Sequence, residues 1–280
     1  MAIITISHEM GAGGPEIGMA VAQRLGYRYA DQEVISESAS RYGLLEEKLS
    51  HLDESKPSFF ERLDTETHRY ITAIQTTLLE FAEQDSVVLM GRGGQWLLRG
   101  IPHVLRVRVM APFELRVKRA VKKLAGQMGE AVNPRTVTNM VRRDDGEKSG
   151  RFRYFYEMDI NDPSLYELVL NTEKLSIEAA VEVITAAGRR PDFATTEAGR
   201  QIVADRALAS RVQVALATEP ETRKYRITVE AERGVVTLNR AQFRVPVSDL
   251  GRSDGPGHRL VDRRRQREGE QQADPAGGDS

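Results

Sequence analysis

Ala2-Ile3-Ile4-Thr5-Ile6-Ser7-His8-Glu9-Met10-Gly11-Ala12-Gly13-Gly14 carries the chain from an apolar, β-branched run into a glycine cluster. Residues 2–6 have the composition of a buried strand. After the glycines, Ile17, Ala20, Val21 and Leu25 recur at helical spacing, and Gly26 stands at the expected stop. The order is strand, glycine loop, helix. Such a junction gathers main-chain N–H groups and the positive end of a helix dipole at one point, which suits a phosphate. Its other reading is a tight turn without a ligand.

The same alternation continues downstream. A short strand is expected at Tyr27–Tyr29, and helices at Gln32–Tyr42 and Phe59–Glu83, the latter with Phe60, Leu63, Ile71, Ile74, Leu78 and Phe81 on one stripe. Ser86–Met90 is a buried strand ending in Gly91-Arg92-Gly93-Gly94, and Val104–Met110 is another. Pro112 sits at the first turn of a helix over Phe113–Leu124, and an amphipathic helix is expected over Pro134–Arg143. Leu168–Leu170 is strand-like, and Ser176 caps a helix over Ile177–Ala187. Alternating strands and helices predict an α/β fold: a mostly parallel sheet covered on both faces.

The chain has 280 residues, of which 40% are hydrophobic, enough for one large domain or two smaller ones. Forty basic against 41 acidic residues leave a net charge of -1, so no global positive field draws it to nucleic acid. There is no cysteine, which removes disulfides, thiolate nucleophiles and Cys-ligated metals. Its five histidines show no ligand spacing, so no zinc site is expected. The apolar runs are strand-sized and the N-terminus lacks a basic flank, so neither a membrane span nor a signal peptide is expected and the chain reads as cytoplasmic.

The P-loop string G-x-x-x-x-G-K-[ST] is incomplete. Laying Gly11-Ala12-Gly13 on its second half puts Gly14 where the lysine belongs, followed by Pro15 and Glu16. A carboxylate about 4–5 Å from a phosphate costs on the order of 3–4 kcal/mol per charge pair at an effective dielectric of 20. Glu16 therefore either points away or helps to hold a metal.

Four ordered blocks carry a family resemblance: Ile6 through Gly18, Val87 through Gly94, Val107 through Val117, and Arg143-Asp144 through Arg151 continuing to Asp162–Thr172. Over about residues 1–188 the chain resembles the cytidylate kinase-like family of P-loop nucleoside monophosphate kinases. The resemblance implies a three-layer P-loop kinase fold that uses ATP and Mg2+ and passes a phosphoryl group to a nucleotide, CMP or dCMP first. It implies that Gly11, Ala12, Gly13 and Gly14 hold donor phosphates. Arg92 would grip the acceptor phosphate, with Asp31 nearby. Gly93 replaces the aspartate that reads the acceptor in cytidylate kinases. Arg143, Asp144, Asp145, Glu147 and Arg151 are similar to the arginine-rich lid, the alternative for Arg143, Arg151 and Arg153 being ordinary ion pairs with those acids. Arg116 and Arg119, three apart on one helix face, either compensate for the missing lysine or lie on a solvated edge. Arginine suits charge on equatorial phosphate oxygens because its planar fork gives two parallel donors. His8 is read as packing the loop, and Arg151 through Tyr156 as packing the lid on its hinge.

Residues 189–202 read as a linker. Residues 203–250 resemble a BON module: a helix over Asp205–Ala217, then strands Tyr225–Ala231 and Val235–Asn239 joined as a hairpin, without the second helix-and-strand half expected after Asn239; the resemblance implies a protein or phospholipid partner. Residues 251–280 are too polar to offset ordering entropy and read as a disordered tail. The alternative to a phosphotransferase is a non-catalytic nucleotide sensor with this interaction module, and a third class is a scaffold.

Overall fold

The computed structural model describes residues 2–45, 65–219, 221–222, 225 and 227–240. Positions 59–64 of the expected long helix, and the tail over 251–280, lie outside them.

Five parallel strands form one sheet: β1 (Ile3–His8), β2 (Arg28–Ala30), β3 (Val87–Met90), β4 (Val104–Met110) and β5 (Leu168–Asn171), in the order β2-β3-β1-β4-β5. Central β1 pairs Ile4 with Val88 of β3 on one side and Leu105 of β4 on the other. Its period-2 alternation divides the core between two faces. Ile3 joins Val87, Leu89 and Leu98 beneath α2 (Glu33–Tyr42) and α3 (Thr65–Glu83). Ile4 and Ile6 join Val88, Leu105 and Val107 on the opposite face, with α1 (Gly14–Leu25) and a helix that follows β5. All three isoleucines are fully buried, so the two-faced burial read from the opening run holds. The chain turns at β1 to build the sheet in both directions, and ligands of such sheets bind at the carboxyl ends of the strands at that reversal.

The remaining helices are α4 (Gly94–Leu97), α5 (Phe113–Met128), α6 (Pro134–Tyr156), α7 (Ile177–Gly188) and α8 (Glu197–Thr218). α6 differs from the expectation. It does not stop at Arg143 but runs for 23 residues, through the polar stretch Asp144-Asp145-Gly146-Glu147-Lys148-Ser149-Gly150. The buried stripe Val137 and Val141 continues to Phe152 at the spacing of successive turns, so packing at both ends carries the helix across a segment of weak propensity. Gly146 sits in open space at ordinary backbone angles. Gly146→Ala should therefore stabilise the protein by about 0.4–1 kcal/mol, measured by chemical denaturation.

The expected linker holds a 3-10 turn at Pro191–Phe193 and the first six residues of α8. Val203, Ala207 and Val214 of α8 share the core of Ile74 and Leu78 from α3, and the Thr76 hydroxyl meets the Ser210 hydroxyl at 2.6 Å. The expected hairpin is present as β6 (Ile227–Glu232) and β7 (Val235–Arg240). Its turn residues Arg233 and Gly234 have φ of 50° and 78°, and both amides donate to the Asp205 carboxylate, at 2.8 and 2.9 Å. That pairing holds the Asp205 carboxyl below the usual carboxylate range, chiefly through the Gly234 amide. Among the described residues no helix is long and apolar enough to cross a membrane.

Candidate functional site

The carboxyl ends of β1, β3, β4 and β5 bring together the glycine loop, Gly91-Arg92-Gly93, Ala111 and Thr172. α1 begins at Gly14 behind a left-handed Gly13 (φ 89°), with no side chain capping it. The amides of a first helical turn have no intrahelical partner, and this turn borders a cavity of about 810 Å3 lined by Gly11, Gly13, Glu16, Arg119, Lys123 and Lys148. The cradle is smaller than the glycine count suggests. Pro15 has no N–H, the Ala12 amide donates to Glu9 O at 3.1 Å, and the Glu16 carboxylate bonds its own amide. The cradle is left with the amides around Gly13 and Gly14.

The glycines have a second reason to be there. A Cβ on Gly11 would lie 2.4 Å from the Arg116 carbonyl oxygen, one on Gly13 2.3 Å from Ile177 Cδ1, and one on Gly14 2.2 Å from the His8 ring. The loop is pressed against α5 and the end of β1, so packing demands glycine at Gly11 and Gly14, and the left-handed backbone favours it at Gly13, where the sequence reading credited anion approach. His8 does pack the loop. Burial, and then the Lys148 ammonium, push its imidazole down to about 4, so it is neutral at pH 7 and adds no charge to the glycine loop. Between the ordinary value of 6.5 and 4 the unfolded chain takes a proton that the native His8 refuses. Stability from this group is complete above pH 6.5 and falls as pH drops, by about 2 kcal/mol at pH 5. Denaturation at pH 7 and pH 5 should show that slope, and His8→Gln should lose it.

Glu16 points away. Its carboxylate accepts from Lys123 Nζ at 2.7 Å; burial raises its pKa, but Lys123 and the backbone bond outweigh burial and hold it below the usual range.

The two arginines of α5 part company. Arg116 is buried: Nε donates to Ala111 O at 3.0 Å, Nη1 to Met10 O and Asp145 Oδ1, and Nη2 to Asp145 Oδ2 at 2.7 Å, with Glu9 Oε2 3.2 Å from Nε. Its guanidinium fastens the glycine loop and α5 to α6. Arg119 faces the large cavity while Nη1 and Nη2 donate to Thr172 Oγ1 and O, at 2.9 and 2.7 Å. Thr172 in turn donates to Ala12 O at 2.9 Å, linking the end of β5 to the loop.

A second, tighter cavity of about 80 Å3 lies on the other side of His8 and Lys148, lined by Gln75, Arg92, Arg151, Phe152 and Tyr156 among others. Gly91, Arg92 and Gly93 all have positive φ (64°, 53° and 76°). This turn folds the Arg92 side chain back so that Nη1 donates to Met90 O and Asp31 Oδ1, each at 3.1 Å. Arg92 and Asp31 are thus brought together. Arg151 Nη1 is buried with no hydrogen-bond partner among the described residues. Arg143 is exposed on the outer face of α6 and joins neither arginine. A Cβ on Gly93 would fall 2.4 Å from the Tyr156 hydroxyl, which accepts from Gln75 Nε2 at 3.3 Å. Tyr156 of α6 thus fills the space that a side chain at position 93 would take. Phe152 and Tyr156 also pack with Ile160, Leu165 and Trp96, the hinge packing expected of the aromatic run.

Sequence reasoning missed Lys148 and Gln75. Extending the Val137–Val141 stripe in steps of three and four lands on Asp144 or Asp145, Lys148, Phe152 and Tyr156, so ending the helix at Arg143 hid Lys148.

ATP phosphates fit the uncapped turn of α1 beside Arg119. A resident metal fits less well. Pro15 stands where the P-loop hydroxyl would be, Glu9, Glu16 and Asp31 are engaged by Arg116, Lys123 and Arg92, and no group of three metal-ligating side chains occurs among the described residues.

A parallel sheet in this order, a glycine loop between β1 and α1, and a long basic helix above it define a three-layer α/β fold of the P-loop kinase class. A crystal structure of an uncharacterized protein from Eubacterium ventriosum shares that fold, with a TM-score of 0.52 at 18% identity over 68% of this chain and 100% of its own. The family model described as the cytidylate kinase-like family matches residues 3–174, and the chain belongs to that family. The cytidylate kinase of Staphylothermus marinus is 30% identical over 185 residues, covering 66% of this chain and 94% of that protein. That of Methanocaldococcus jannaschii is 28% identical over 188 residues, covering 66% and 96%. The chain is accordingly a nucleotide kinase-like phosphotransferase in kind.

Proposed function

We propose that the chain moves the γ-phosphoryl of ATP to the phosphate of a nucleoside monophosphate, with CMP and dCMP the first candidates. The large cavity takes the donor, with its phosphates on the amides around Gly13 and Gly14 and beside Arg119. The tight cavity takes the acceptor phosphate between Arg92 and Arg151. An acceptor phosphate oxygen attacks the γ-phosphorus, the bond to the β,γ-bridging oxygen breaks, and its electron pair leaves on ADP. No protein base is needed, because the attacking oxygen is already an anion. Mg2+ enters with the nucleotide and supplies charge neutralisation there; this chain's residues align the two phosphates and exclude water.

The observation that carries this reading is the Arg151 nitrogen, buried and without a hydrogen-bond partner among the described residues, in the same cavity as Arg92. A buried donor left unmatched costs about 1–3 kcal/mol, which a bound phosphate would recover. At about 80 Å3 that cavity is below the roughly 300–1,000 Å3 of ordinary ligand sites, so the acceptor enters as α6 swings outward. The test is a coupled assay of ADP formation with CMP, dCMP and UMP as acceptors. Turnover with at least one of them is expected. Thermal stabilisation by ATP without turnover would favour the second reading, a nucleotide sensor, which the glycine at the lysine position motivates. The cytoplasmic setting, and a BON-like role for residues 203–250 toward a protein or phospholipid, belong to the same proposal; the hairpin beside α8 supports the latter, and residues 241–250 lie outside the described ones.

A further inference from the structure

We propose that Lys148, on α6 rather than in the glycine loop, supplies the ammonium that bears on the transferred phosphoryl group. The inference rests on the phosphotransferase reading above.

The glycine loop has no cation of its own. Gly14 occupies the lysine position, and the His8 imidazole beside it is neutral. The basic groups around the loop differ in how firmly they are held. Arg116 is fastened by Asp145, Glu9 and two carbonyls, and Arg119 by both oxygens of Thr172. Lys123 is paired with Glu16 at an exposed rim. Lys148 is different in place and in partners. It lines the large cavity with Gly11, Gly13 and Arg119, and it lines the tight cavity with Arg92 and Arg151. A group passed from one cavity to the other crosses at Lys148.

Its ammonium lies 3.3 Å from the carbonyl oxygen of His8, where β1 enters the loop, and 3.0 Å from Asp144 Oδ2 one turn back on its own helix. That ion pair is partly exposed, at 27% and 29%, the kind of contact that holds a side chain in place with little energy and is readily exchanged for a more highly charged phosphate. A lysine is a compact point charge on a flexible stem, so an ammonium arriving from α6 can stand where one arriving from the loop would. Because Arg151 is three residues further along the same helix, one movement of α6 brings both charges in and leaves the nucleotides without them when the helix lifts. In the transfer step the charge on the equatorial oxygens grows toward the bond-breaking point, and an ammonium that meets it only with α6 closed stabilises that point more than either bound nucleotide.

Three proteins are compared: wild type, Lys148→Met, which keeps the apolar stem, and Lys148→Arg, which keeps the charge. Each is followed by melting temperature, by ATP–CMP turnover, and by calorimetric binding of inorganic tripolyphosphate. Lys148→Met should melt within a few degrees of wild type, lose about a hundredfold or more in kcat with KM for CMP changed by less than about threefold, and weaken both KM for ATP and tripolyphosphate binding by about threefold to tenfold. Lys148→Arg should recover part of both losses. Wild-type turnover with a Lys148→Met variant within about threefold of it overturns the inference and leaves the phosphotransferase reading standing. If wild type shows no turnover, that reading fails by itself, and tripolyphosphate decides for Lys148: unchanged affinity in Lys148→Met overturns its role, and lost affinity restored by arginine sustains it as the phosphate-contacting cation.

Discussion

Arg116→Ala will lower the unfolding free energy by about 3 kcal/mol, before any effect on catalysis is considered. Removing the guanidinium leaves Glu9 and Asp145, with side chains 16% and 33% exposed, facing one another without the cation between them. It also strips the bonds to Ala111 O and Met10 O that hold the glycine loop against α5. Because Asp145 is partly solvated, the lower end of the range for a broken buried ion pair applies. Arg116→Lys will recover little, since a single ammonium cannot reproduce the bidentate fork on Asp145. Urea denaturation at pH 7 measures this. A variant with wild-type stability and lost turnover would return Arg116 to the catalytic role first read from its position beside Arg119.

Arg92→Ala will act on the acceptor, not on the fold. The expected loss is about tenfold to a hundredfold in kcat/KM for the nucleoside monophosphate, the scale of one or two charge-assisted hydrogen bonds, with the KM for ATP nearly unchanged. Asp31 keeps a partner in the variant because its other oxygen accepts from Tyr29 at 3.1 Å, so the melting temperature should move by only a few degrees. Steady-state kinetics with each nucleotide varied in turn separate the two effects. Equal losses toward donor and acceptor would mean that Arg92 does not stand on the acceptor side.

The layers of this fold were legible because burial on both faces of a parallel sheet writes itself into short β-branched runs. Ile3, Ile4 and Ile6, Val87–Met90 and Val104–Met110 all form strands. Arg92 and Asp31, named together in the sequence, do meet in the structure. What stayed hidden followed from long-range packing. The glycine loop announces phosphate by composition, yet the atoms its missing side chains would strike belong to Arg116, Ile177 and His8, far apart in the sequence or around the turn. The roles of Arg116 and Arg119 diverge because Asp145 and Thr172, distant in sequence, claim one each. Lys148 was hidden by local chemistry: Gly146 and Gly150 lower helix propensity, and only the apolar residues on either side show that the helix continues.

The central claim is that the turn joining β1 to α1 receives nucleotide phosphate on its main-chain amides. The most direct measurement is a titration of the 15N-labelled protein with Mg-ADP, following backbone amide resonances. Saturable shifts that are largest at Gly13 and Gly14, and that also appear with tripolyphosphate, are the predicted result. Saturation of binding with those two resonances unmoved, or no binding at millimolar nucleotide, would contradict it.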